Sequence, residues 1–119
     1  MEELIRRAAL LGELIRRNPR FTELRAAEKE VGGDPGARGT LEKLNEQVLK
    51  LARKERDQQP IEVEEKRELA RLKEEAASNA VLKRLAKAQA DFAELMNHVN
   101  AAIRSKLTQQ TQDASPAAS

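Results

Sequence analysis

The run Asn18-Pro19-Arg20-Phe21-Thr22-Glu23-Leu24-Arg25-Ala26-Ala27 constrains this chain more than any other feature, because a worn copy of it returns near the other end. Asn79, Leu82, Leu85, Ala88 and Phe92 follow one another at the spacing of Asn18, Phe21, Leu24, Ala27 and Val31. Each copy has an amide side chain placed to cap a helix, then apolar residues three or four apart, the spacing of one helix face. Two matched helices with a long charged stretch between them define an architecture. They do not define an active site.

The rest of the chain divides at similar punctuation. Residues 2–17 read as a first helix with a stripe of Leu4, Ala8, Leu11 and Ile15, widened by Ile5 and Leu14. Gly12 inside it costs about 1 kcal/mol relative to alanine and reads as tolerated packing at a close helix crossing. Asn18-Pro19 ends that helix and starts the next, with Asn18 as cap and Pro19 in the first turn. Gly32-Gly33 ends the second helix and Asp34-Pro35 starts a third. Ala37, Leu41, Leu44, Val48 and Leu51 then alternate steps of four and three, a coiled-coil heptad pattern. Gln58-Gln59-Pro60 reads as a hairpin tip, followed by a more polar helix over about 62–76 that carries Leu69, Leu72 and Ala76. Ser78-Asn79 caps the last helix, whose stripe continues through Leu82, Leu85, Gln89, Phe92, Met96, Val99 and Ile103.

The expected fold is therefore all-α: an elongated antiparallel bundle of four to five helices, with a long helical hairpin, that oligomerises. Residues 1–107 form the helical domain. Beyond Leu107 the composition turns to Thr, Gln, Ser and Ala, and residues 108–119 read as a disordered tail.

Composition explains why a second copy is expected. Apolar residues make up 39% of the 119 residues, but many are alanine, and there are two Phe and no Trp or Tyr. Charged residues reach 35%, with both signs interspersed, which suits solvent-rich helices and gives a modest core. The last helix has a longer apolar stripe than a thin bundle of short helices can cover. Its small residues Ala86, Ala88, Ala90 and Ala93 allow close approach of another helix. The residues expected at interaction or oligomer surfaces are Phe21, Leu24, Leu82, Leu85, Phe92, Met96, Val99 and Ile103.

Chemistry is sparse. The chain has no cysteine, which excludes disulfides and thiolate or iron–sulfur ligation by its own residues. His98 is the single histidine, and Glu94 is the one carboxylate a helical turn away, too few donors for a metal site. It reads as a boundary or surface residue. Its neighbours Asn97 and Asn100 either face water or bond across a dimer seam. The set Glu62, Glu64, Glu65 and Glu68 interleaves with Lys66 and Arg67 and reads as a solvated face. No cofactor, metal or catalytic group is expected, and no enzyme activity. No apolar run approaches the roughly 18 residues of a membrane span, and Met1-Glu2-Glu3 followed by Arg6-Arg7 does not resemble a signal peptide, so a cytoplasmic protein is expected.

Arg16, Arg17, Arg20 and Arg25 are the candidates for an RNA or phosphate contact. Phe21 is the one aromatic residue among them, too few for a platform that stacks successive bases, and a net charge of +2 keeps counterion release small. Direct RNA binding is thus the alternative to a protein-interaction module, beside a purely structural assembly factor.

The order of these pieces resembles the YlbF/YmcA family of small helical bacterial regulators. The residues that carry the resemblance are Leu11-Gly12-Glu13-Leu14-Ile15, Asn18-Pro19-Arg20-Phe21-Thr22-Glu23-Leu24 with Ala27-Glu28, then Asp34-Pro35. In the last helix they are Asn79, Leu82, Leu85, Ala88-Gln89 and Val99-Asn100-Ala101-Ala102-Ile103. Together they span about residues 2–106. The resemblance implies a self-associating helical protein with a non-enzymatic role in gene expression, working with a protein partner in a regulatory complex and reaching RNA only indirectly. Some members ligate an iron–sulfur cluster through cysteines, a feature this chain has no residues to share.

Overall fold

A computed structural model describes residues 1–113, with side chains through residue 109. It contains five helices: α1 Glu2–Arg17, α2 Pro19–Gly32, α3 Pro35–Arg56, α4 Val63–Ser78 and α5 Ala80–Asp113. No strand occurs among the described residues. The punctuation in the sequence acts as expected. Asn18 Oδ1 accepts from the Arg20 amide at 2.9 Å, Asp34 Oδ1 from the Ala37 amide at 3.1 Å, and Asn79 Oδ1 from the Leu82 amide at 3.0 Å. Each cap satisfies a backbone donor that a helix start leaves open.

Two antiparallel pairings hold the molecule together. α2 lies along α5, and α3 lies along α4 in the expected hairpin. The first pairing joins the two copies of the internal repeat, so Leu24 and Ala27 share one core with Leu82, Leu85 and Ala88. Val31 and Ala37 complete that cluster. Leu51 and Leu72 are buried along the hairpin. Such a core is thin, and the shape follows: the radius of gyration is 20.7 Å, against about 14 Å for a compact domain of this length.

Gly33 and Gln58 end α2 and α3 where the sequence places the breaks, with backbone that the sequence does not reveal, and the end of α5 departs from the expectation. Gly33 ends α2 with φ −89°, so this glycine is not there for left-handed backbone. The left-handed residue is Gln58, at φ 56°. There the Gln59 amide donates to the Lys54 carbonyl at 2.8 Å and the Gln58 amide to the Glu55 carbonyl at 3.1 Å. These two bonds are the Schellman closure of a helix end, normally built on glycine. The departure is α5, which runs past Leu107 to Asp113 instead of giving way to a disordered tail at 108. Propagating an existing helix adds one hydrogen bond per residue and needs no burial. The remainder of that tail, 114–119, lies outside the described residues. Gly12 is also not at a crossing within the chain: a methyl group added there would meet nothing within 4 Å.

Candidate interaction surface

Ordinary amphipathic helices bury their stripe, and α1 does not. It contains no buried residue, and α2 is the one helix it contacts extensively. Leu4 is 69% exposed and Leu14 65%, and Ile5 and Leu10 are also exposed. Only Leu11 and Ile15, near the junction with α2, are half-buried. An isolated helix of this length is marginal in water, so an uncovered stripe on it is a surface that lacks its cover.

The second half of α5 has the same character. Phe92 packs its ring against Phe21 where α2 begins, and beyond that point α5 continues without α2 beside it. Leu95, Met96 and Val99 are half-buried, whereas Ile103 is 48% exposed and Leu107 is exposed. α1 and distal α5 therefore both leave the body at the Phe21–Phe92 pair with apolar faces open. At 1.5 Å per residue and about 10 Å width, the two faces project roughly 500–600 Å². Accessible area exceeds projected area, which brings this end close to the ~800 Å² per partner of a standard protein interface.

The residues expected to form the interaction surface thus separate into two groups. Leu82 and Leu85 are buried in the core of the single chain, and Leu24 packs half-buried against it, because α2 lies across them. They hold the fold and present little to a partner. Phe21, Phe92, Met96 and Val99 are half-buried and Ile103 is exposed, so these form the edge and floor of the open end. The α1 residues Leu4, Ile5, Leu10 and Leu14 belong with them. The stripe with Leu4, Ile5 and Leu14 was legible and Leu10 was not part of it, but periodicity shows only that a face is apolar, not whether the same chain covers it.

The arginines also separate. Arg20 donates from Nη1 to the Asp91 carbonyl at 3.1 Å and sits 3.9 Å from Glu94, tying the start of α2 to α5. Arg16 pairs with Glu13 at 2.8 Å, and the Glu13 carboxyl is held below its ordinary range by that hydrogen bond. Arg17 lies 3.9 Å from Glu13 and Arg25 3.9 Å from Glu28. The candidate RNA contacts are thus all beside carboxylates, and Arg20 is a structural clamp. His98 is exposed, 3.7 Å from Glu94. Asn97 and Asn100 are exposed as well. Among the described residues no three histidine, aspartate or glutamate side chains converge as metal ligands would.

One acidic residue does not belong to a solvated face. The Glu65 side chain is only 12% exposed. Its Oε1 accepts from Lys54 Nζ at 2.7 Å and from the Glu62 amide at 3.0 Å, and Lys50 Nζ lies 3.4 Å from Oε2. The Lys54 hydrogen bond, then the Glu62 amide and Lys50, hold its carboxyl down to about 2. It closes the α3–α4 hairpin, a role set by the register of the two helices and therefore hidden in the sequence of either.

These features define a class: an elongated, all-helical bundle with an uncovered apolar end and, among the described residues, no helix long and apolar enough to cross a membrane. Residues 4–108 match the family described as control of competence regulator ComK, YlbF/YmcA, and the chain belongs to that family. Among solved structures it is similar to the X-ray crystal structure of Bacillus subtilis RicA in complex with RicF. The TM-score is 0.74 at 17% identity, covering 92% of this chain and 96% of that one. At that identity the likeness is one of fold. No curated protein sequence matches the chain.

Proposed function

We propose that this protein is a non-enzymatic helical adaptor of the cytoplasm. It self-associates and binds a larger protein complex that controls gene expression, and it reaches RNA through that complex. The uncovered apolar stripe of α1, together with that of distal α5, carries this reading: a folded chain seldom leaves so much apolar surface without a partner for it. Membership of the family and the fold shared with RicA, itself solved in complex with RicF, support a role in an assembly. The arginines beside carboxylates speak against direct RNA binding as the primary activity. Affinity pull-down with mass spectrometry, with and without nuclease, tests the proposal. Protein partners that persist after nuclease agree with it; partners lost with RNA overturn it.

A further inference from the structure

The heptad stripe of α3 is not wholly used by its own hairpin. Ala37 and Leu51 are buried, Leu41 and Leu44 are half-buried, and Val48 is 45% exposed. On that side of the hairpin two cavities lie end to end. One, of about 400 Å³, runs from Leu44 to Ala76 and Lys83. The other, of about 380 Å³, runs from Val48 and Ala52 to Leu69, Lys66 and Lys73. Leu44 and Val48 are one turn apart on α3, and Lys73 and Ala77 one turn apart on α4, so the cavities follow one another as one groove along the hairpin, its first half walled also by Leu82, Leu85 and Ala86 of α5. Its length from Leu41 to Glu55 is about 21 Å, the length of a helix of about 14 residues.

The charges around the hairpin are unequal. On the opposite side the cations at the seam stand among carboxylates: Lys50 and Lys54 share Glu65, Arg71 pairs with Glu68 and Glu75, and Lys43 also acts on Glu68. Along the groove Lys66, Lys73 and Lys83 are exposed and make no ion pair among the described residues, and they outnumber the one carboxylate of the lining, Glu55. A half-covered heptad seam is the geometry into which a further helix lays its apolar face. A row of unpaired lysines at one edge selects the charge of that helix.

We infer that the α3–α4 groove is a docking site for an amphipathic helix of a partner protein, one with a row of Glu or Asp along the edge that meets Lys66, Lys73 and Lys83. The inference rests on the adaptor reading, and its surface is separate from the open end that serves self-association.

Two synthetic helical peptides of about 14 residues test it against the full-length protein by fluorescence anisotropy. They share one leucine stripe; one has glutamates beside the stripe and the other lysines. The acidic peptide binds at micromolar concentration, at least about tenfold tighter than the basic one, a preference of the size charge complementarity gives. The double variant Lys66→Glu, Lys73→Glu reverses the order. Val48→Asp, at a site exposed enough to leave the thermal melt unchanged, abolishes both. Equal binding of the two peptides, or binding of neither, overturns the inference. So does dissociation of the protein's own oligomer by the acidic peptide, because the groove would then be filled by a second copy. Light scattering on the same samples keeps the two ideas apart: a single chain that binds the acidic peptide sinks self-association and leaves the groove standing.

Discussion

The rings of Phe21 and Phe92 meet with centroids 5.7 Å apart and planes tilted by 54°. They join the first turn of α2 to the middle of α5, at the boundary between the shared core and the open end. Tilted aromatic pairs of this kind contribute about 0.5–1.5 kcal/mol beyond area burial. Both rings are half-buried, so Phe21→Ala costs less than the ~3–5 kcal/mol of a fully buried phenylalanine, at about 2 kcal/mol. Thr22→Ala, on an exposed face, stays within about 0.5 kcal/mol. Urea melts of these two variants, with Phe92→Ala and the double variant, give the coupling directly. A coupling of zero contradicts the pairing.

Acid should loosen the hairpin in a defined window. Glu65 has its carboxyl lowered from 4.5 to about 2, chiefly by Lys54. A group whose folded value is depressed contributes stability that is fully present above its unfolded value and is lost as pH falls through the folded one. The contribution of Glu65 is therefore complete at neutral pH, declines below about 4.5 and is gone below about 2. Stability of the native protein relative to Glu65→Gln, measured by denaturant melts across that range, should converge as pH falls. A difference that does not change with pH contradicts the assignment.

Gln58 holds left-handed backbone at φ 56° in a closure that favours glycine. A non-glycine residue there costs about 1–2 kcal/mol, part of which glycine returns through its larger unfolded-state entropy. Gln58→Gly should stabilise the protein by about 0.5–1 kcal/mol, and the β-branched Gln58→Val should destabilise it by a similar amount. Thermal melts of the two variants should shift in opposite directions. A shared direction contradicts the left-handed turn.

What was legible in the sequence was local. Asn18, Asp34 and Asn79 could be read as caps because capping needs only a short polar side chain and the backbone two or three residues on. The core residues Leu82 and Leu85 stood out by spacing. What was not legible depended on distant partners. Glu65 looked like one carboxylate of a solvated face until α3 was placed beside it. Arg20 looked like a free cation because the carbonyl it bonds, that of Asp91, is remote in the chain. The turn at Gln58 was seen as a tip, but its backbone ignored the usual glycine. The uncovered state of α1 was invisible, since Leu4 and Leu14 have the periodicity of a buried stripe whether or not anything buries them.

The central claim is that the open end is covered by a second copy. Leu14 is 65% exposed in the single chain, so Leu14→Asp removes little from the core and places a charge in the proposed interface. Light scattering of the native protein and of Leu14→Asp, over micromolar concentrations, tests this most directly. The account predicts at least two copies for the native protein and a single copy for Leu14→Asp, with the helical core intact by circular dichroism. A native protein that remains a single chain over that range contradicts it.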